Sequence, residues 1–161
     1  MNSTESHEEA PSPLKYLTVQ DMLWINLQVT KKVQHFNYAR LEEATFYQYG
    51  YGASKDLARQ AGRFFSGFLK LHPFDAGNEA TGFIGCAAFL LLNGSTLNVP
   101  DNELGSWVGR VASGQIRAEE ALPSLITNEH GHSLLSNVRA AVTEALNRFP
   151  SVFTAFSSAA A

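Results

Sequence analysis

The segment His72-Pro73-Phe74-Asp75-Ala76-Gly77-Asn78 gathers the residue types of this chain best suited to chemistry. A histidine, with an unperturbed pKa of about 6.5, can take a proton from a hydroxyl near neutral pH. Pro73 disfavours helical conformation at the residue before it, so His72 should end one helix, and Asn78 should open the next. The glycine between them lets backbone approach a ligand closely. Unpaired N–H groups and the positive end of a helix dipole attract anions, and Asn78 can donate a hydrogen bond. The spacing therefore describes a phosphate site with a general base beside it. It equally describes a helix-loop-helix corner with a structural histidine, and on spacing alone that plainer reading is favoured.

Other residues carry less. Glu129-His130-Gly131-His132 offers two histidines and one acid in a polar stretch, fewer ligands than a defined metal site needs, so it reads as a solvated linker and no metal site is assigned. Cys86 is the only cysteine and lies within the apolar run from Phe83 to Leu92, which makes a buried thiol the better reading and excludes an internal disulfide. Trp24, Trp107 and the phenylalanines at 64, 65, 68, 83 and 89 recur at helical spacing and read as core.

The elements that must position the 72–78 loop are helices. Thr18 with Asp21 resembles an N-terminal capping box, followed by a helix to about Val33. A short helical signal covers Arg40 to Thr45, then the glycines at 50 and 52 break it. Ser54 can cap a helix from Lys55, in which Leu57, Ala61, Phe64, Phe65, Phe68 and Leu71 form a broad apolar stripe. The helix from Asn78 is apolar nearly all round, which suits the centre of a bundle, and Asn93-Gly94 stops it. Asp101 can cap a helix ending at Gly114. Arg117 to Ile126 and 133 to 148 read as two more, and no strand pattern of any length is evident.

Composition narrows the function. The net charge of -3 comes entirely from Glu5, Glu8 and Glu9, leaving residues 14 to 161 balanced. Balance argues against nucleic acid or an anionic membrane surface as partner. The run from Phe83 to Leu92 is too short to span a bilayer, and the N-terminus lacks a signal-peptide pattern, so a cytoplasmic location is expected.

Residues 72 to 78 resemble the signature H-P-F-x-[D/E]-G-N-[G/K]-R of the Fic/Doc (filamentation-induced-by-cAMP and death-on-curing) family. Arg40-Leu41-Glu42-Glu43-Ala44 is similar to a stretch of its Doc-like members, and Ala88 to Gly94 and Val111 to Gly114 resemble the segments that close that domain. The resemblance covers about residues 17 to 126. It implies an all-α bundle around a central helix-loop-helix, with a short β-hairpin flap near 46 to 52, where Tyr47, Tyr49 and Tyr51 alternate and a target peptide would dock by strand addition. Packing of that flap on the core is the competing reading. The expected organisation is a disordered acidic leader at 1–13, the Fic/Doc-like domain at 14–126, an additional C-terminal helix at 127–149 packed on it, and a flexible tail at 150–161.

The family transfers a nucleotide or phosphate from a nucleoside triphosphate to a protein hydroxyl. By resemblance His72 takes the place of its general base, Phe74 of its loop anchor, Gly77 of its close-approach glycine and Asn78 of its phosphate-loop asparagine. The family's acidic metal ligand falls at Ala76, its Gly or Lys at Glu79, and its phosphate-clamping arginine at Ala80. These losses argue against Mg2+ and against ordinary transfer from ATP or another nucleoside phosphate. Glu79 adds negative charge, at a cost on the order of two to three decades in affinity; as a first-turn carboxylate it also meets the helix dipole favourably. Asp75 and Glu79 are the candidate substitute acids. Three readings follow: a transferase whose chemical step is weak, altered or lost; a non-catalytic binding or regulatory module; and an active Doc-like toxin using Asp75, with Lys70 or Arg110 as phosphate clamp. Expected partners are a protein substrate or binding partner, a separate antidote protein if the toxin is active, and a second copy of the chain through the extra C-terminal helix.

Overall fold

A computed structural model describes residues 14–50, 56–128 and 137–156. The described residues are mostly helical, with seven α-helices and one two-stranded antiparallel ladder. The helices are α1 (Val19–Thr30), α2 (Tyr38–Phe46), α3 (Leu57–Leu71), α4 (Asn78–Leu92), α5 (Leu104–Ala112), α6 (Ala118–Ala121) and α7 (Val138–Arg148).

Helix α4 is the axis. Every residue of it except Glu79 is buried, as its nearly uniform apolar sequence requires. Helix α3 turns its stripe onto α4: Phe64 meets Phe89 and Phe65 meets Phe83 edge to face, with ring centroids 6.2 and 5.9 Å apart. On another side α7 lays Ala141, Val142 and Ala145 into the core, and Phe149 just beyond it meets Phe83 edge to face at 4.8 Å. Helix α1 completes the surround with Met22, Ile25 and Val29. At the crossing of α3 with α6 a β-carbon on Gly62 would lie 2.6 Å from the Ala118 carbonyl oxygen, so only glycine permits the approach.

The capping box at α1 is present: Asp21 N–H donates to Thr18 Oγ1 at 3.1 Å and Thr18 N–H to Asp21 Oδ2 at 2.8 Å. Thr18→Ala should cost about 1 kcal/mol, read as a lower urea midpoint at unchanged slope. The helix ends at Thr30, three residues short of the expected Val33, because Lys31 turns into the left-handed region at φ 67°.

Several elements differ from expectation. Asp56, not Ser54, caps α3 by accepting from Arg59 N–H; Ser54 lies outside the described residues. Asp101 does not cap α5 but accepts from the backbone N–H and the hydroxyl of Ser151, and α5 begins at Leu104 after a 3-10 turn. The single helix expected from Arg117 to Ile126 is broken. Pro123 cannot donate within it, so α6 gives way to a 3-10 turn at Leu122–Ser124, and β2 (Ile126–Asn128) pairs antiparallel with β1 (Ser95–Leu97). Three-residue strands are too short to display alternation. From Pro150 the chain was expected to be a mobile tail, yet Pro150–Phe153 form a 3-10 turn and Val152 is buried.

The hairpin expected near 46 to 52 is not seen in its described part. Phe46 ends α2, and Tyr47 keeps helical dihedrals of φ -66° and ψ -10°. Buried Gln48 then stitches the turn down, donating from Nε2 to the Leu17 carbonyl at 2.6 Å and accepting from Leu17 N–H at 2.9 Å. Tyr49 stacks on Tyr16 with centroids 4.1 Å apart. Tyr51 and Gly52 lie outside the described residues, as do the leader and Glu129-His130-Gly131-His132. Cys86 is buried and free, and burial pushes its thiol pKa up to about 12. Among the described residues no helix is long and apolar enough to cross a membrane.

Candidate active site

His72 terminates α3 in the left-handed region at φ 48° and ψ 60°, a strained conformation for a residue with a β-carbon. The causes are local. Pro73 disfavours helical dihedrals at His72, while His72 N–H still closes the last turn onto the Phe68 carbonyl at 3.1 Å. The imidazole Nδ1 lies 3.0 Å from the Leu69 carbonyl oxygen. A carbonyl only accepts, so in the neutral ring Nδ1 carries the proton and Nε2 keeps the lone pair. The neutral side chain thus keeps its Nε2 lone pair on an exposed residue, and a last-turn carbonyl gains a donor in the same contact.

Phe74 is buried, with its ring 6.2 Å from Phe68 and 6.0 Å from Phe36 by centroids. Its backbone forms an isolated antiparallel bridge with Phe36: Asn37 N–H donates to the Pro73 carbonyl at 2.8 Å, and Asp75 N–H to the His35 carbonyl at 3.0 Å. In that bridge geometry the N–H and C=O of Phe74 point away from Phe36. Asn78 takes both. Phe74 N–H donates to Asn78 Oδ1 at 3.0 Å, and Asn78 Nδ2 donates to the Phe74 carbonyl at 2.7 Å. The buried Asn78 amide replaces a neighbouring strand and closes the loop on itself.

Gly77 precedes α4 at φ 82°. A β-carbon there would fall 2.4 Å from Thr30 Cγ2, so position 77 requires glycine on both conformational and steric grounds. Asn26, buried on α1, donates from Nδ2 to the Ala76 carbonyl at 3.0 Å and to Thr81 Oγ1 at 3.1 Å. With the Ala76 carbonyl tied inward, the N–H groups of Ala76, Gly77, Asn78, Glu79 and Ala80 meet no acceptor among the described residues. Five successive donors at the positive end of a fifteen-residue buried helix make a cradle of the kind in which an anion could be held.

The expected site residues are therefore gathered into one loop, in different capacities. Asn78 spends its side chain on loop closure, and its backbone N–H belongs to the cradle. Glu79 is half-buried in the first turn of α4, and the exposed Asp75 contributes its N–H to the bridge with His35. Lys70 is exposed on the last turn of α3 and Arg110 is exposed near the end of α5. Ala76 offers only a methyl group, and among the described residues no group of three or more His, Cys, Asp or Glu is placed to hold a metal. Ala80 is 5% exposed, so the family's arginine position is packed against the fold.

Asn26, Thr30 and the stretch around Phe36 had no part in the reading of the sequence. Asn26 left a signal there: Met22, Ile25, Asn26 and Val29 lie on the buried face of α1, and a lone amide on such a face requires an internal partner.

Residues 16–90 match the model of the Fic/DOC family, a stretch that runs from just before α1 to near the end of α4 and contains the whole loop. No curated protein and no solved structure matches the chain significantly.

Proposed function

We propose that the chain, whose residues 16–90 match the Fic/DOC family, is a transferase of nucleotide or phosphate groups to a protein hydroxyl, slowed at the chemical step. The observation that carries the reading is the cradle of five N–H groups at residues 76 to 80, reached from the same loop that begins with the base His72. The N–H groups hold a phosphate of a nucleoside triphosphate. Nε2 of His72 takes the proton of the acceptor hydroxyl as its oxygen bonds to phosphorus, and the bond from phosphorus to the leaving phosphate breaks. The cytoplasm, where nucleoside triphosphates are supplied, is the compartment this reading implies.

The slowing has named causes. Ala76 supplies no carboxylate, Ala80 no guanidinium, and the Asn78 amide is engaged by Phe74. A phosphate whose charge is met only by backbone dipoles lacks the charge-assisted, bidentate bonds that an arginine provides. Glu79 beside the cradle lowers anion affinity further.

The test is label transfer from α- and γ-labelled ATP into cell lysate. Wild type should label slowly, His72→Ala not at all, and Ala76→Asp about tenfold faster than wild type by restoring the acid of the family motif. The double variant Ala76→Asp/Ala80→Arg asks more, because the new guanidinium must emerge from a packed position. The position of the label distinguishes nucleotide from phosphate transfer. Labelling that persists in His72→Ala would remove the base from the mechanism, and silence from every variant would leave the scaffold as a binding module.

A further inference from the structure

The peptide joining Ala76 to Gly77 is a rigid trans plane, so its carbonyl and its N–H point in opposite directions. Which of the two faces the cradle depends on how that one plane is turned. In the structure the Ala76 carbonyl points inward, onto Asn26 Nδ2 at 3.0 Å, and the Gly77 N–H therefore points outward. The reverse setting is open to the backbone. Half a turn of the plane would return Gly77 from φ 82° to an ordinary negative φ, and glycine tolerates either sign. It would also set the negative end of the Ala76 carbonyl beside the donors of residues 78 to 80, in the place of an anion. Local preference does not choose between the two settings, so a tertiary contact must.

That contact is Asn26, fifty residues away on α1 and 2% exposed. One hydrogen of its Nδ2 meets the Ala76 carbonyl, and the other meets Thr81 Oγ1 at 3.1 Å, in the first turn of α4. Both donors are spent, while its Oδ1 meets no donor among the described residues. We propose that Asn26 is a positioning residue for the cradle: its amide selects the setting with the Gly77 N–H outward, and its second bond ties that peptide to the start of α4. A side chain offering oxygen in the same place would select the reverse, taking the Gly77 N–H and sending the Ala76 carbonyl outward. The polarity of one buried side chain thus decides whether the loop attracts an anion or repels it. The proposal rests on the transfer reading for the use of the cradle; the setting of the peptide needs no ligand.

The test uses the full chain, labelled with 15N and titrated with inorganic phosphate, as wild type, Asn26→Asp and Asn26→Leu. In the free wild type the Gly77 amide should exchange rapidly with solvent, and phosphate should shift it and slow its exchange. Asp is nearly isosteric, and its carboxylate only accepts. In Asn26→Asp the Gly77 amide should move downfield and become protected without ligand, and phosphate should bind about a hundredfold more weakly. Asn26→Leu adds no charge and should still weaken phosphate binding at least about tenfold, which separates the lost orientation from repulsion by a new carboxylate. Urea unfolding follows the fold separately. If Asn26 were merely structural, both variants would lose stability while their folded fraction bound phosphate like wild type, with the Gly77 amide still shifting; that result overturns the proposal. So does a Gly77 amide already protected in the free wild type, or one that ignores phosphate, and neither reading needs a variant to fold. Phosphate binding that depends on Asn26, in a wild type that never transfers label from ATP, upholds the proposal and defeats the transfer reading. Label transfer at the wild-type rate by Asn26→Leu defeats the proposal and leaves the transfer reading standing.

Discussion

Asn78→Ala should lower stability by about 2–4 kcal/mol and abolish phosphate binding at the loop. The residue is buried, and its amide is the sole partner of the Phe74 N–H and C=O, at 3.0 and 2.7 Å. Truncation leaves a buried donor and a buried acceptor unmet, each costing about 1–3 kcal/mol. The loop then has no reason to keep its curvature, and the donors of residues 76 to 80 lose their common direction. Urea unfolding measures the first effect, and titration with inorganic phosphate or ATP the second. A variant that loses stability yet binds phosphate as wild type would show that Asn78 serves the fold and not the cradle. Unchanged stability would mean that Phe74 finds other partners.

The second large effect is at Gly77. Gly77→Ala should destabilise by about 2–4 kcal/mol, combining roughly 1 kcal/mol for a left-handed alanine with the overpacking of a β-carbon against Thr30. That contact would be 2.4 Å, to Thr30 Cγ2 alone of the threonine atoms. Thr30→Ser removes the offending methyl and keeps the hydroxyl, which donates to the Asn26 carbonyl at 2.8 Å. The double variant should therefore recover at least about 1 kcal/mol of the loss, read as coupling in a double-mutant cycle. Strict additivity would clear the Thr30 methyl and leave the cost to the backbone dihedral at φ 82° and to the Asn26 amide, 3.2 Å from the added β-carbon.

These predictions rest on parts of the molecule that were unequally legible. The two helices flanking the loop were readable because their apolar residues recur with helical period and their ends carry strong stops: Pro73 after α3, and Asn93-Gly94 after α4. Hence His72 at a helix end, and Gly77-Asn78 at the start of the next, followed from chain order alone. The short elements did not. Arg117 to Ile126 has the composition of a helix, but Pro123 and the pairing of Ile126–Asn128 with Ser95–Leu97 divide it, and that ladder joins segments about thirty residues apart. Asp101 looked like a cap because aspartate prefers caps; Ser151, fifty residues away, supplies its donors instead.

For the site, sequence determined which residues are present: a histidine before proline, a glycine at 77, alanines where the family has an acid and an arginine, and a glutamate between. Those identities already weaken transfer, since no fold can put a carboxylate on Ala76 or a guanidinium on Ala80. Tertiary structure decided what each residue is free to do. The Asn78 amide could have faced a phosphate or the backbone, and the Phe36–Phe74 bridge turns it to the backbone by leaving Phe74 unpaired on that side. The direction of the cradle is set from α1, through the bond of Asn26 to Ala76. Local spacing fixes periodicity, caps and stops because these act within a turn or two of helix. Hydrogen bonds between residues 50 apart depend on how α1, α3 and α4 pack, and no local pattern encodes them.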